Sequence, residues 1–292
     1  PPGELRPYHE LSGPDDTTLQ FESRFESGNL RRAVQVYEFE YDLIAKPDIN
    51  TRGHTQWFYF RVRNTRRGIK YKFNFINFLK PDSMFNYGMQ PVMYSEREAR
   101  RGVGWVRRGE EICYYQNHIK RKGGHYYTLT FSIEFPYDND VVYLAYCFPY
   151  TYTMLQDYLS KLDDDPKLRN RMKRRTLCQT LSGNQVDLLT ITSFACDPEA
   201  LRSRKGIVVS ARVHPGETNA SWMMHGFIDY LTGASLDAKV LRDNFVFKLV
   251  PMLNVDGVFH GNTRTSLSGS DLNRVWARPD PALYPTIYHA KR

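Results

Sequence analysis

The hydrophobic pattern of the chain changes near Pro149, and this change divides its 292 residues into two segments. Before it, residues 54–63 are aromatic and β-branched, and residues 71–78 alternate apolar and polar side chains, the period of a half-buried strand. Clusters of Gly, Pro, Asn and Asp separate such stretches at short intervals. Residues 1–150 are therefore predicted to form an antiparallel β-sandwich domain. Its further predicted strands are 34–43, 111–115, 126–135 and 141–148.

After Pro149 the pattern becomes that of an α/β domain. The predicted elements, in chain order, are helix 153–162, strands 186–192 and 206–213, helix 219–232 and strand 245–253. Thr153 is the expected N-cap of the first helix, and the apolar stretch 206–213 is expected to be a fully buried strand. A strand, a helix and a strand in this order imply a right-handed crossover. Residues 151–292 are thus predicted to have an α/β fold with a mixed, mostly parallel sheet.

Charge and composition exclude few classes of function. The net charge is +8, and basic runs occur at 97–108 and 167–175. Such runs fit nucleic acid, anionic lipid or an acidic peptide as a partner, but they carry no aromatic-basic nucleic-acid motif. No apolar run approaches the roughly 18 residues of a membrane span, and the start of the chain lacks the apolar core of a signal peptide. Four scattered cysteines favour reduced thiols in a cytosolic protein.

The first candidate functional residues are His214 and Glu217, in the segment Ser210-Ala-Arg-Val-His-Pro-Gly-Glu-Thr218. Here a predicted strand ends and a helix begins, which is where open α/β sheets bind ligands. Imidazole and carboxylate are good zinc ligands, and the intervening Pro-Gly permits a tight bend. The alternative is a surface histidine beside a glutamate favoured by the helix dipole. The three-residue spacing alone does not decide between them.

Further candidates follow the strand predicted at 245–253. Arg264 closes the segment Asn262-Thr-Arg264, and Asn273 and Arg274 lie within Ser270-Asp-Leu-Asn-Arg-Val-Trp276. A guanidinium binds a carboxylate through two parallel hydrogen bonds, and an asparagine amide adds a donor, so Asn273 and Arg274 suit a free peptide carboxylate. Arg264 suits the oxyanion of a tetrahedral intermediate. The alternative is surface arginines and a helix cap.

These segments together resemble the zinc metallocarboxypeptidases, in which HPGE, PMLNVDG, GNTR and SDLNR occur in this order. The similarity is greatest to the cytosolic carboxypeptidases, the ATP/GTP-binding-protein-like subfamily, and includes ARVHPGETNASW, PTIYHAK, HTQWFYF and FPYTYTMLQ. It extends from about Leu19 to Arg292. The resemblance implies an N-terminal β-sandwich domain over residues 1–150, followed over residues 151–292 by the N-terminal part of a zinc carboxypeptidase catalytic domain.

The resemblance also implies roles for single residues. His214 and Glu217 match the first two zinc ligands, and Arg264 matches the arginine that polarises the scissile carbonyl. Asn273 and Arg274 match the pair that binds the terminal carboxylate. The implied cofactor is one zinc ion per complete site. Members of this subfamily remove glutamates from polyglutamylated tubulin and other acidic tails, so the implied location is cytoplasmic, with microtubules as one place of action and no nucleic-acid or membrane partner.

Two parts of the family's site have no counterpart in this sequence, namely a third ligand, a later histidine, and the general-base glutamate. His225, His260 and His289 are expected to be structural or surface residues, and none replaces that ligand convincingly. The catalytic domain is therefore expected to be incomplete. The leading hypothesis is a metallocarboxypeptidase, and the alternative is an inactive binding or scaffold protein that retains a surface for acidic tails.

Overall fold

The computed structural model describes residues 7–292, which form two compact units that meet in sequence between Pro149 and Tyr150. Residues 1–6 lie outside the described residues. They belong to the N-terminal stretch in which the sequence shows no signal-peptide pattern. Among the described residues, no helix has the length and hydropathy that crossing a bilayer requires. All four cysteines are free thiols, and burial raises the pKa of the Cys178 thiol to about 11.

The first unit is a sandwich of two five-stranded sheets, which confirms the predicted fold class. One sheet has the order β1-β4-β10-β6-β7 and the other has the order β2-β3-β5-β9-β8. Apolar side chains from both sheets fill the space between them, and the rings of Phe58 and Phe75 stack 4.4 Å apart. The strands are β1 (Gln20–Glu22), β2 (Arg32–Tyr37), β3 (Glu40–Ile44), β4 (Tyr59–Arg63), β5 (Lys70–Phe78), β6 (Val92–Ser95), β7 (Val106–Arg107), β8 (Glu110–Arg121), β9 (Gly124–Glu134) and β10 (Val142–Ala145).

The first unit differs from the sequence prediction in two details. The stretch 34–43, predicted as one strand, is a hairpin of β2 and β3 that turns between Tyr37 and Glu40. In addition, β3 and β5 pair in parallel. The chain leaves β3, forms β4 in the opposite sheet and returns as β5, so β3 and β5 run in the same direction. Two short helices complete the unit, a 3-10 helix at Met84–Tyr87 and α1 at Glu96–Ala99.

The second unit packs helices against a four-stranded sheet of order β11-β12-β14-β13. Its core joins Leu189 and Leu249 of the sheet to Ile228 and Leu231 of α4, all of which are 0% exposed. The strands are β11 (Met172–Gln179), β12 (Gln185–Ile191), β13 (Lys205–Ser210) and β14 (Phe245–Val250). The helices are α2 (Tyr152–Asp164), α3 (Pro198–Ser203), α4 (Thr218–Thr232), α5 (Leu236–Asn244), α6 (Val255–Phe259) and α7 (Pro285–Lys291), with 3-10 turns at Pro166–Leu168 and Leu272–Arg274.

The sheet of the second unit is mixed, as predicted, but the expectation that it is mostly parallel is wrong for the described strands. Only β13 and β14 pair in parallel, whereas β11–β12 and β12–β14 are antiparallel. The reason is that β11 and β12 form a hairpin, which reverses the chain. The predicted burial of 206–213 is also wrong, because β13 lies at the edge of this sheet and Val208 is 69% exposed.

The N-cap of helix α2 lies two residues earlier than the sequence predicts. This N-cap is Thr151, whose hydroxyl oxygen accepts a hydrogen bond from the backbone N–H of Met154 at 3.1 Å. Thr153, the predicted cap, instead lies inside the first turn. Both threonines suit an N-cap by residue type, and the extended backbone of Thr151 decides between them.

Candidate active site

The predicted site residues lie on loops beyond the carboxyl ends of β13 and β14. These strands are parallel neighbours, with Ser210 paired to Val250, so both end at the same edge of the sheet. The loop after β13 carries His214 and Glu217, and the segment that follows β14 carries Arg264. This arrangement places the candidates where open α/β sheets bind their ligands.

His214 and Glu217 lie side by side, with Nδ1 of the imidazole 3.1 Å from Oε1 of the carboxylate. Two ligand atoms that share a tetrahedral zinc ion at about 2.0–2.2 Å are roughly 3.3–3.6 Å apart, slightly more than this distance. The observed spacing therefore suits a common metal ion. Among residues 7–292, however, no group of three His, Cys, Asp or Glu side chains is placed to hold a metal. His214 and Glu217 therefore fit two ligand positions of a zinc ion, and the described residues supply no third His, Cys, Asp or Glu ligand.

Asp271, which by residue type could be a simple helix cap, joins His214 to Arg264. One carboxylate oxygen lies 3.1 Å from Nε2 of His214, and the other lies 2.8 Å from the Arg264 guanidinium. Asp271 also caps the 3-10 turn, because it accepts a hydrogen bond from the backbone N–H of Asn273 at 2.8 Å. When Nε2 of His214 donates its proton to this carboxylate, Nδ1 keeps the lone pair that a metal ligand needs.

The carboxyl group of Asp271 has a pKa below its usual range, although its burial opposes this shift. Burial acts to raise the pKa, but the hydrogen bond from the Asn273 amide, the contact with His214 and the charge of Arg264 together lower it. Asp271 is therefore an anion at neutral pH. It can hold the imidazole of His214 in one tautomer and orient the guanidinium of Arg264 at the same time.

Asn273 and Arg274 follow Asp271 in the same 3-10 turn, which is anchored by Leu272, 3% exposed. Both side chains are exposed. Within residues 7–292 the guanidinium of Arg274 has no carboxylate partner, and its hydrogen bond is with the backbone carbonyl of Asn273 at 3.3 Å. An exposed, unpaired guanidinium beside an amide is the chemistry expected of a carboxylate-binding pair.

Backbone contacts tie the loops of the site together. The N–H of Gly216 donates to the carbonyl oxygen of Thr263 at 2.9 Å, which links the loop of His214 to that of Arg264. The Asn254 side chain donates to the carbonyl of Val213 at 3.1 Å and accepts from the N–H of Gly257, so it caps α6. The segment 254–257 therefore contains the N-cap and the first turn of α6. These bonds fix the spacing of loops that are distant in sequence.

Arg212 is a further residue of the site that the sequence analysis did not single out. The residue is 3% exposed, and its guanidinium donates to the carbonyl of Pro215 at 2.8 Å, the hydroxyl of Ser221 at 2.8 Å and the carbonyl of Tyr150 at 3.1 Å. Its backbone has a φ of 57°, which is costly for a residue other than glycine. Through these hydrogen bonds the side chain links the His214 loop to the start of α4.

Gly257 provides a test of how closely these loops pack. A Cβ atom at this position would lie 2.4 Å from the ring of Pro215, 2.7 Å from the Asn254 side chain and 2.8 Å from the carbonyl of Thr265. Gly257→Ala is therefore expected to lower the free energy of unfolding by about 2–3 kcal/mol. The measurement is urea unfolding followed by circular dichroism, with comparison of the transition midpoints.

Gly226→Ala is the matched control for this substitution. Gly226 lies inside α4, and a Cβ there meets no heavy atom within 4 Å. Alanine in an exposed helix position is expected to stabilise the protein by up to about 1 kcal/mol. Equal stabilities of the two variants would contradict the close packing of the loops.

The other histidines named above take no part in this site. The Nδ1 atom of His225 lies 3.0 Å from the Tyr150 hydroxyl, and its ring stacks on Tyr158 at 3.6 Å, so it is a packed helix residue. His260 ends α6, and His289 lies in the last turn of α7. None of the three belongs to a group of described residues that could hold a metal.

Two family matches cover most of the chain. Residues 155–286 match the zinc carboxypeptidase family, and residues 21–147 match the cytosolic carboxypeptidase N-terminal domain. With the α/β fold and the site described above, these matches show that the chain belongs to the zinc carboxypeptidase family, among the metallocarboxypeptidases.

Individual relatives confirm the resemblance to the cytosolic carboxypeptidases. Cytosolic carboxypeptidase 3 of Bos taurus is 50% identical over 277 residues, which cover 94% of this chain and 28% of the relative. Cytosolic carboxypeptidase 4 of Homo sapiens is 51% identical over 288 residues, covering 94% of this chain and 26% of the relative. Cytosolic carboxypeptidase 1 of Mus musculus is 50% identical over 310 residues, covering 98% and 25%. The chain thus spans about a quarter of the length of these relatives.

Solved structures show the same similarity of fold. A metallo-carboxypeptidase from Burkholderia cenocepacia aligns with a TM-score of 0.75 and 26% identity, covering 94% of this chain and 66% of that one. A metallo-carboxypeptidase from Pseudomonas aeruginosa, in complex with (2-guanidinoethylmercapto)succinic acid, aligns with a TM-score of 0.71 and 26% identity, covering 92% and 64%.

Proposed function

We propose that the full-length protein is a zinc-dependent metallocarboxypeptidase that removes glutamates, C-terminal or linked to side chains, from acidic protein tails such as those of polyglutamylated tubulin. The observation that carries the proposal is the paired His214 and Glu217, whose facing atoms are 3.1 Å apart, on the same rim of the sheet as Arg264. Its parts are a β-sandwich domain over residues 1–150 and part of the catalytic domain over residues 151–292. The proposed place of action is the cytosol, including microtubules.

In this proposal His214 and Glu217 hold the zinc ion, and Asp271 fixes the imidazole of His214. A zinc ion held there would supply Lewis acidity and would lower the pKa of a bound water molecule. A complete zinc site needs a further ligand and a general base besides these two residues. Arg264, oriented by its ion pair with Asp271 at 2.8 Å, donates to the carbonyl oxygen as negative charge develops there.

Asn273 and Arg274 are assigned to the terminal carboxylate of the substrate. The proposal is supported by the exposure of both side chains and by the missing carboxylate partner of Arg274 within residues 7–292. A bidentate pair with the guanidinium would restrict cleavage to the last residue, because only that residue has a free α-carboxylate. The fixed 3-10 turn orients both side chains before the substrate arrives, which lowers the entropic cost of binding.

Arg274→Met tests this assignment. In the full-length protein it is expected to lower kcat/KM for glutamate release from a peptide with a C-terminal glutamate by about 100-fold, since a charge-assisted bidentate pair contributes roughly 2–3 kcal/mol. Glutamate release is measured with a coupled dehydrogenase assay. The same peptide with an amidated C-terminus is expected to be a very poor substrate for the wild-type protein.

Arg278→Met is the matched control, because Arg278 is an exposed arginine four residues further along the chain. It is expected to leave kcat/KM within about twofold, like most surface substitutions. Equal cleavage of the free and amidated peptides, or an equal loss in the Arg278 variant, would contradict the assignment of Arg274.

A second candidate is a binding or scaffold protein that holds acidic tails without cleaving them. It is favoured by the finding that residues 7–292 bring no group of three potential metal ligands together. The two candidates differ in one measurement. Binding of a glutamate-rich peptide without glutamate release by the zinc-loaded, full-length protein would support the scaffold and exclude the enzyme.

A further inference from the structure

An open cleft in the first unit is surrounded by arginines. Its volume is about 650 Å³, which lies in the range typical of ligand sites. Three arginines line it, Arg67, Arg101 and Arg108, and all three are exposed. Glu134 is the acidic residue of the lining, which also includes the buried residue Phe135. We call this feature the arginine cleft.

The fold assembles the arginine cleft from three separate segments of the chain. The basic run at 97–108 contains five arginines and one glutamate, and it passes from α1 through a turn at Gly102, with a φ of 85°, into β7. Arg67 comes from the turn after β4, and Tyr137 comes from the segment after β9. Two arginines of the basic run, Arg101 and Arg108, therefore line a concave surface together with Arg67, which is distant in sequence.

The charges of the cleft are only partly balanced. Among residues 7–292, no hydrogen bond or ion pair involves the guanidinium of Arg67 or that of Arg108, so both are available to a ligand. Arg101 is held in place, because it donates to the Tyr137 hydroxyl at 2.6 Å and lies 4.0 Å from the carboxylate of Glu98. Uncompensated guanidinium groups in a concave site attract anions and bind carboxylates with directed hydrogen bonds.

The aromatic ring at the cleft is already occupied by cations. The guanidinium groups of Arg97 and Arg101 lie 5.7 Å and 5.4 Å from the centre of the Tyr137 ring. The hydroxyl of Tyr137 also donates to Glu98. Single-stranded nucleic acid is usually held by bases that stack on free aromatic faces. Phe135 is buried and two guanidinium groups already lie against the Tyr137 ring, whereas the guanidinium groups of Arg67 and Arg108 remain suited to carboxylates.

We propose that the arginine cleft is a docking site for an acidic segment of a polypeptide, bound through the carboxylates of consecutive glutamates or aspartates to Arg67 and Arg108. This proposal rests on the proposed function, because the acidic segment belongs to the protein substrate of that function. The site itself consists only of residues of the first unit. Arg101 and Tyr137 are hydrogen-bonded to each other and form a preorganised part of the lining. Glu134 is the acidic residue of the lining.

The test measures binding separately from cleavage. The full-length protein is titrated into a fluorescein-labelled oligoglutamate peptide whose C-terminus is amidated, and anisotropy is recorded at low and at high salt. Combining Arg67→Ser with Arg108→Ser is expected to weaken binding about tenfold at low salt, roughly threefold for each exposed ion pair. The difference should shrink as salt screens the charges. Glutamate release by the wild-type protein from a free-acid peptide tests the proposed function independently.

The matched control combines Arg31→Ser with Arg52→Ser, which removes the same charge from two exposed arginines outside the cleft. It is expected to bind the amidated peptide within about twofold of the wild-type protein. An equal loss in both double variants would show a nonspecific effect of net charge and overturn the proposal. Unchanged binding in the cleft variant, or tighter binding of an oligouridylate than of the peptide, would overturn it as well.

Discussion

Replacing Glu217 by glutamine in the full-length protein is expected to lower kcat/KM for glutamate release by about 1,000-fold, or about 4 kcal/mol of transition-state stabilisation. Glutamine keeps the size of the side chain but removes the negative charge that, in our proposal, neutralises part of the charge of the zinc ion. Oε1 of Glu217 lies 3.1 Å from Nδ1 of His214. The substitution therefore changes one of the two atoms proposed to bind the zinc ion. Zinc content after dialysis, measured by inductively coupled plasma mass spectrometry, should fall together with activity.

Glu199→Gln is the control for this change of charge. Glu199 lies on α3, and its side chain is 78% exposed and pairs at the surface with Arg202. Its replacement is expected to leave zinc content and kcat/KM within about twofold. A Glu217→Gln protein that retains zinc and full activity would refute the assignment of Glu217 as a ligand. Zinc retained with activity lost would instead give Glu217 a role apart from metal binding.

The sequence located His214 and Glu217 because their surroundings follow local rules. An apolar stretch predicts a strand, the Pro-Gly pair predicts a bend, and the residues between Thr218 and Gly233 predict a helix. A strand followed by a helix identifies the rim of an α/β sheet without any knowledge of tertiary contacts. The same local rules place Arg264 after β14, and the parallel pairing of β13 with β14 then brings the two loops to one edge.

The connections between these loops were not predictable in the same way. Asp271 contacts His214 across 57 positions of sequence, and the motif that contains it is equally consistent with a simple helix cap. Arg212 lies next to an apolar strand, and only the structure shows its positive φ and its buried guanidinium. Both are polar side chains whose partners are set by tertiary packing, which periodicity along the chain does not encode.

The errors about the sheet have two different causes. A signal for the β11–β12 hairpin was present in the sequence, since Gly183 lies between Ser182 and Asn184 in a short stretch typical of a turn. In the structure Gly183 has a φ of 80°. Using that signal would have removed the expectation of a mostly parallel sheet. The exposure of β13 had no such signal, because an apolar strand at the edge of a sheet and one at its centre share the same residue pattern.

Replacing Arg212 by methionine is expected to lower the free energy of unfolding by about 3–5 kcal/mol. Methionine fills a similar volume but donates no hydrogen bond, so the carbonyls of Pro215 and Tyr150 and the hydroxyl of Ser221 lose their donor in a buried site. An unsatisfied buried acceptor costs about 1–3 kcal/mol. Urea unfolding followed by circular dichroism measures the loss, and zinc affinity should fall with it because the His214 loop is released.

The backbone at position 212 allows the two roles of this residue to be separated. With a φ of 57°, alanine keeps the strained conformation whereas glycine relieves it, so Arg212→Gly should be about 1 kcal/mol more stable than Arg212→Ala. Both should remain well below the wild-type protein, because neither replaces the three hydrogen bonds. Arg202→Met, at a side chain that is 77% exposed, should change stability by no more than about 0.5 kcal/mol. A methionine variant at position 212 that matches this control would show that the buried guanidinium does not hold the loop, and the geometry of His214 would then depend on Asp271 and the Gly216 hydrogen bond alone.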